Sequence, residues 1–364
     1  MTVRCLQQTD AFRDLFRIFA NREERVLEFE LLPQALGPIL EDGCSIGITK
    51  KYLVQAFVIA RRTFFDSLTA KSDSQYTDDA ASLEAEALKR EGEEVDKKLA
   101  IATEIILLFD SEHLTACNWR KRRLNTLFNS DLWTLIRALD IELSLMTTYL
   151  CSPLHRHTKS PTLWQHRHWV QAHLVRLRKP DFKGAEGLFQ AELSIVLRAG
   201  ELHPKNYYAF TYLRRIHRML AESGGVKSEE WRVQLGQRII ESTLDWCLAH
   251  PADISGLTFL LYLLDGVPDT ALRLDSVGKV AGFALDIGWE GESIWTFVEL
   301  ATRKFKLVKS LDQSPPHPWG VLRAASSSGM QGDSKTGIPW RALLESARVH
   351  WTAEQNPNGI GSSA

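Results

Sequence analysis

An apolar or aromatic residue recurs in this chain at an almost constant interval, and this regularity limits the fold more than any other feature. The intervals between the first four copies are 47, 46 and 47 residues, and a looser fifth copy follows after 38 residues. The recurring residues, called anchors below, are Cys117, Trp164, Phe210, Leu257 and Trp295. Self-similarity at a fixed period is typical of repeat architectures, in which each unit packs mainly against its neighbours.

Each copy predicts a pair of helices. A polar turn, with proline at Pro204 and Pro251, precedes a helix that carries the anchor in its first two turns. Basic residues follow the anchor on roughly the same helix face: Arg120, Lys121, Arg167, His168 and Arg214. Amphipathic segments precede the turns, at 99–109, 139–150, 186–199 and 236–248. Because one pair cannot bury its own apolar stripe, we predict an all-α fold, a right-handed α-α superhelix (solenoid) of about five helix-pair repeats.

The remaining segments differ from the repeats in composition. We predict an N-terminal helical cap over 1–70 and repeats over 99–308, separated by a segment at 71–98 that is either a charged linker or a solvated helix. Proline, glycine and serine predict a linker over 309–338. A short helix and a tail are expected over 339–364.

Composition excludes several classes of function. The formal net charge of −1 gives no global reason to bind nucleic acid or an anionic membrane. Five dispersed cysteines without a CxxC pair predict neither a disulfide framework nor a zinc finger. Without an apolar signal core or a run long enough for a membrane span, the sequence favours a cytoplasmic protein.

Two histidine pairs, His155 with His157 and His166 with His168, raise the question of a metal site. Residues two apart on a helix point to nearly opposite sides, so His166 and His168 cannot grip one ion. No Asp, Glu or Cys at zinc-ligand spacing accompanies either pair. We therefore predict no metal site in this chain.

The text of the copies at 203–215, 160–170 and 114–124 reads HPKNYYAFTYLRR, SPTLWQHRHWV and LTACNWRKRRL. These segments resemble the repeat of the protein prenyltransferase alpha subunit family, Pro-Lys-Asn-Tyr-x-x-Trp-x-x-Arg-Arg, and in segment order are most similar to its repeat-containing members. Phe210 and Cys117 stand where the family has tryptophan, and Leu213 replaces the first arginine. The residues expected to have structural roles at the repeat positions are Cys117, Asn118, Arg120, Trp164, His166, Arg167, Trp169, Phe210, Arg214, Leu257 and Trp295.

The resemblance implies a transferase subunit that is active only with a beta subunit. Such a heterodimer transfers a farnesyl or geranylgeranyl group from an isoprenoid diphosphate to a cysteine of an acceptor protein. Zinc, with magnesium as an optional second ion, is expected through the beta subunit, and this chain is expected to hold no cofactor.

The same resemblance implies the site residues. The lysine five positions before the anchor assists departure of diphosphate, which implies Lys159 as the catalytic residue. Lys205, Asn206 and Tyr207 are then expected to bind substrate. A lysine beside the leaving group stabilises charge that grows in the transition state.

Structural roles for these residues stay open. Lys159 follows an expanded turn, CSPLHRHTKSP, and a loop lysine in this position is often only solvated. The fourth copy lacks the aromatic anchor and the arginines. The alternative function is therefore a catalytically inactive helical scaffold for protein–protein interaction.

Overall fold

The computed structural model describes residues 2–73, 82–154 and 156–307. The expected linker at 309–338 and the expected helix and tail at 339–364 lie outside these residues, as does His155. The described residues contain twelve α-helices and three strands: α1 (Thr2–Ala20), β1 (Glu28–Leu32), β2 (Ile39–Asp42), β3 (Ser45–Thr49), α2 (Lys50–Asp73), α3 (Ser82–Phe109), α4 (Leu114–Thr126), α5 (Leu132–Leu150), α6 (Pro161–Arg178), α7 (Phe182–Leu202), α8 (Tyr207–Ser223), α9 (Ser228–Ala249), α10 (Ile254–Gly266), α11 (Thr270–Ile287) and α12 (Glu292–Phe305).

The ten helices from α3 to α12 form the five predicted pairs. In every pair the anchor is the fourth residue of the second helix, and all five anchors are at most 3% exposed. The predicted all-α class is confirmed. The superhelical arrangement of the pairs stays a prediction.

The turns inside the pairs differ in length. Four residues join the two helices of the first, third, fourth and fifth pairs, whereas ten residues, 151–160, join α5 to α6. The expanded turn is packed, because Ser152 and Leu154 are buried and a 3₁₀ turn, His157–Lys159, leads into α6. Lys159 nevertheless keeps its place five residues before the anchor.

A small sheet interrupts the N-terminal segment, for which only helices were expected. Its strand order is β1-β3-β2, with β1 parallel and β2 antiparallel to β3. The Asp42-Gly43 pair, with Gly43 at φ 60°, is a hairpin signal that the sequence reading overlooked. The outer side of β1 is covered by α5 and the turn that follows it, since Thr148 Oγ1 accepts from the Leu27 amide and Ser152 Oγ accepts from the Phe29 amide.

The chain divides into two compact units, Met1–Pro180 with Ser194–Arg215, and Asp181–Leu193 with Ile216–Ala364. In the first unit, the second and third helices of the array, α4 and α5, pack with α6 through a fully apolar cluster: Leu124, Leu135, Leu139, Val170 and Leu174. Burial of each such side chain stabilises the folded state by roughly 1.5–3 kcal/mol.

The second unit packs a buried histidine and a glycine against aromatic rings. His217 stacks on Phe189 with ring centroids 4.9 Å apart, and Tyr262 Oη lies 2.9 Å from its Nδ1. A Cβ on Gly256 would lie 2.5 Å from the Trp246 ring, so only glycine allows this close approach of α10 to α9. The fourth copy thus keeps its packing without the arginines.

Candidate functional site

The residue four positions before each anchor caps the second helix of its pair. His113, Ser160, Asn206 and Asp253 each accept hydrogen bonds from backbone amides in the first turn, whereas Gly291 has no side chain to do so. Caps of this kind satisfy amides that have no partner inside the helix. The position five before the anchor therefore lies on the tip of the turn just ahead of the cap, and it carries Glu112, Lys159, Lys205, Ala252 and Glu290 in the five copies.

The backbone carbonyl of Thr158 joins the turns of the second and third pairs. It accepts one hydrogen bond from Asn206 Nδ2 and another from Trp164 Nε1, each at 2.7 Å. Thr158 Oγ1 lies 2.8 Å from Nδ1 of His203. The turn that carries Lys159 is thereby fixed against the turn that carries Lys205.

Both lysines lie on exposed parts of these joined turns. Lys205 has a φ of 61°, in the left-handed region that a residue with a Cβ seldom adopts. Such a conformation costs on the order of 1 kcal/mol and is held by the surrounding structure. The structure therefore places Lys159 and Lys205 at exposed positions on two joined turns.

Asn206 and Tyr207 have different environments although they are adjacent. Asn206 is fully buried. Its Nδ2 donates to Thr158 O, and its Oδ1 accepts from the backbone amide of Ala209. Its burial argues for positioning of the two turns rather than contact with a substrate. Tyr207 begins α8 and is 56% exposed, so its ring is accessible beside Lys205.

A carboxylate lies on the turn of the first pair, next to the turn of Lys159. Glu112 Oε2 accepts a hydrogen bond of 2.5 Å from Thr162 Oγ1 at the start of α6. Ser160 Oγ donates to Ser111 O at 3.1 Å, so these two turns are also joined. The row of turns thus offers one acidic and two basic side chains to solvent.

The basic residue three positions after the anchor is structural in the first two pairs. Arg120 is 3% exposed and donates to Glu142 Oε1 and Oε2 at 2.8 and 2.6 Å. It also donates to Ala100 O and Thr103 Oγ1, both at 2.9 Å, and to Glu104 Oε1 at 3.3 Å. These bonds tie α4 to both α3 and α5.

Arg167 makes equivalent hydrogen bonds one pair later. Its Nη1 donates to Leu143 O at 3.1 Å and to Thr147 Oγ1 at 2.8 Å, again a carbonyl and a threonine hydroxyl of the preceding helix. His166 is fully buried and donates through Nε2 to Glu142 Oε1 at 2.7 Å. Burial lowers the pKa of His166 despite the carboxylate, which is consistent with a neutral ring.

Burial and charge act in opposite directions on the acidic members of this cluster. Burial alone would raise the pKa of Glu142, but the Arg120 charge and the hydrogen bonds from His166 and Arg120 hold it far below its usual value. For Glu104, burial outweighs the Arg120 charge, and the pKa is raised. Glu142 is therefore the carboxylate that neutralises Arg120.

The other residues predicted at structural positions of the repeat lie mostly in the core. Cys117, Trp164, Phe210, Leu257 and Trp295 are buried, and burial raises the pKa of the Cys117 thiol to about 12. Trp169 and Arg214 are half-buried, and Asn118 is exposed.

The sequence reading missed the contribution of Glu142. This carboxylate lies within the buried stripe of α5, where Leu135, Leu139 and Met146 are its apolar neighbours in the pattern. A charged residue in an apolar stripe is a signal for a buried ion pair, since carboxylates are almost never fully buried unless paired.

Among the described residues, no group of three or more His, Cys, Asp or Glu side chains could hold a metal ion.

No helix in the described part of the chain combines the length and the apolar character that crossing a membrane requires.

No curated protein matches the sequence. Residues 189–220 match a family model described as the protein prenyltransferase alpha subunit repeat. The matched segment contains the end of α7, the turn with Lys205 and most of α8. The chain thus carries the repeat of the protein prenyltransferase alpha subunit family at its third helix pair.

Proposed function

We propose that this chain is the alpha-type subunit of a heterodimeric protein prenyltransferase that attaches a farnesyl or geranylgeranyl group to a protein cysteine. The observation that carries the proposal is the pair of exposed lysines, Lys159 and Lys205, on turns joined through Asn206 and Thr158. The family match at the third helix pair supports it.

The proposed reaction joins the cysteine sulfur to C1 of the isoprenoid. The bond between C1 and the diphosphate oxygen breaks, and diphosphate leaves with the electron pair. The bond-breaking step concentrates negative charge on the leaving oxygens. An ammonium group held beside those oxygens therefore stabilises the transition state more than the ground state. Zinc, supplied by the beta-type partner, would favour the thiolate form of the acceptor cysteine.

Under this proposal the residues of the two turns have separate roles. Lys159 contacts the diphosphate, and Lys205 and Tyr207 bind the same anion from the neighbouring turn. Asn206 acts as a positioning residue, because its amide holds the two turns together. The prepared geometry avoids reordering of the turns during the reaction.

Co-expression with prenyltransferase beta-type subunits tests the pairing, and single-turnover transfer to a cysteine peptide tests the chemistry. Lys159→Ala should lower the transfer rate about 100-fold to 1000-fold, the range expected for one electrostatic donor, with little effect on assembly. Lys183→Ala is the matched control, since this exposed lysine of α7 is far from the turns in sequence. An unchanged rate for Lys159→Ala would remove this lysine from the site.

Glu112 favours the alternative function, an inactive helical scaffold. Its carboxylate lies on the turn next to that of Lys159 and would repel a diphosphate. If the chain is a scaffold, it should form a stable complex with a partner while no beta-type subunit yields transfer activity. Isothermal titration of the complex with inorganic diphosphate separates the two functions, because only the transferase needs an anion site at the turns.

A further inference from the structure

The second helices of the first two pairs carry no acidic residue. The sequence of α4 is LTACNWRKRRLNT and that of α6 is PTLWQHRHWVQAHLVRLR. Together they contain seven arginines and lysines and no aspartate or glutamate. The chain as a whole is nearly neutral, so the positive charge of these two helices is a local feature.

Part of this charge lies in a continuous cluster with aromatic rings. The Lys121 ammonium is 5.8 Å from the centre of the Trp169 ring, and Trp169 contacts His173 with centroids 4.5 Å apart. The Phe128 ring lies 4.9 Å from His173, and Arg176 is exposed on the next turn of α6. We call these five residues, Lys121, Phe128, Trp169, His173 and Arg176, the basic aromatic face.

Three arginines of the same helices, unlike the cations of this face, are paired with carboxylates. Arg120 is neutralised by Glu142, Arg123 pairs with Asp96 at 2.6 Å, and Arg178 pairs with Asp140 at 2.5 Å.

For Lys121 and Arg176, the described part of the chain provides no ion-pair partner. Phe128 is 39% exposed, and Trp169 and His173 are half-buried. The face therefore presents positive charge beside rings that another surface could cover.

A protein surface fits this composition better than a nucleic acid does. Arginine and tryptophan are enriched where partner proteins bind, and aromatic rings give contact area with little loss of side-chain entropy. Nucleic-acid sites need many phosphate contacts and a strongly basic surface. Two cations on a neutral chain are too few for that, but they suit a partner with a few carboxylates.

We propose that the basic aromatic face binds an acidic surface of the chain's protein partner. The inference rests on the proposed function, which identifies the partner as the beta-type subunit. The positive charges would attract and orient that subunit, and the rings of Phe128 and Trp169 would pack against its apolar side chains.

The test compares charge reversals on and off the face in full-length chains titrated with a purified beta-type subunit. The affinity of Lys121→Glu/Arg176→Glu for the beta-type subunit is measured by titration calorimetry at several salt concentrations. The matched control is Lys51→Glu/Lys183→Glu, which makes the same change of net charge at exposed lysines of α2 and α7. Circular dichroism of each free variant verifies that it is folded.

The face variant should bind at least about tenfold more weakly than the wild type at low salt, and its affinity should depend less on salt. The control should stay within about threefold of the wild type. Equal affinities of the two variants, in a heterodimer that forms normally, would overturn the inference and leave the proposed function standing.

Two other outcomes would also overturn the inference. If no beta-type subunit binds the wild-type chain, the proposed function and the inference fail together. If a DNA or RNA oligonucleotide binds the wild-type chain tightly and the face variant loses that binding, the face is a nucleic-acid site.

Discussion

Replacement of Glu142 by glutamine tests whether the buried charge cluster of α3, α4 and α5 stabilises the fold. Glu142 accepts hydrogen bonds of 2.8 and 2.6 Å from Arg120, and the two side chains are 3% and 4% exposed. Glutamine keeps one acceptor oxygen but turns an amide N–H toward the guanidinium. Of the two carboxylates that pair with Arg120 in the described part of the chain, Glu104 then remains to neutralise its charge.

The expected loss of unfolding free energy follows from these contacts. Removing one partner of a buried ion pair costs about 3–5 kcal/mol. Because Glu104 Oε1 lies 3.3 Å from Arg120 Nη2 and can neutralise part of its charge, we expect a loss near the lower limit, about 3 kcal/mol. The double variant Glu104→Gln/Glu142→Gln should lose more than the sum of the two single variants, since each carboxylate can substitute for the other.

Urea unfolding followed by circular dichroism measures the loss. Hydrogen exchange should also be measured for peptides from α4 and α5. The chain has two compact units, and a single unfolding transition need not report the stability of both. Asp140→Asn is the matched control on the same helix. Its ion pair with Arg178 joins side chains that are 29% and 45% exposed, so its loss should cost at most about 1 kcal/mol. A loss for Glu142→Gln no larger than that of the control would refute the reasoning.

Three further predictions concern residues of the turns. Asn206→Ala removes the cap of α8 and the bond to Thr158, so the unfolding free energy should fall by roughly 2 kcal/mol; Tyr207→Ala, at the exposed neighbouring position, should change it by less than about 0.5 kcal/mol. Lys205→Gly and Lys205→Ala both remove the ammonium group, but the glycine variant should be more stable by about 1 kcal/mol in thermal unfolding, because φ is 61° there. Equal stabilities would contradict the strain at this position. Burial lowers the pKa of His157 to about 4, so the unfolded chain takes up this proton at a higher pH than the folded chain. The contribution of His157 to stability should therefore fall from about pH 6.5 to about pH 4, by up to roughly 1.4 kcal/mol per pH unit, and His157→Gln should reduce the slope of stability against pH.

The helix pairs could be predicted from the sequence because their signals are local and repeated. The anchors, at intervals of 46–47 residues for the first four and 38 residues for the fifth, placed five second helices, and in each of them the anchor is the fourth residue. The small sheet was missed because its strands are short and join residues on both sides of an irregular segment. Its one local signal was Asp42-Gly43.

The sequence predicted where the site residues lie in the helix pairs, but it did not predict their contacts. The spacing from the anchor placed Lys159 and Lys205 on turns, since a fixed offset within a repeat gives a fixed place in the helix pair. It could not show that Asn206 is buried or that its amide binds Thr158, because that contact joins residues 48 positions apart. Solvent exposure separates the residues available to a ligand from those that hold the turns.

The amino-acid sequence by itself determined the helical class, the number of pairs and the family resemblance, because periodic burial and turn chemistry act over a few neighbouring residues. The tertiary structure decided which basic residues are used inside the fold and which remain on the surface. Arg120 and Lys121 are adjacent in the sequence, yet the helix turns one toward Glu142 and the other toward the Trp169 ring. The physical reason is that pairing of a charge depends on the distance to groups from other helices, and that distance is set only when the pairs pack together.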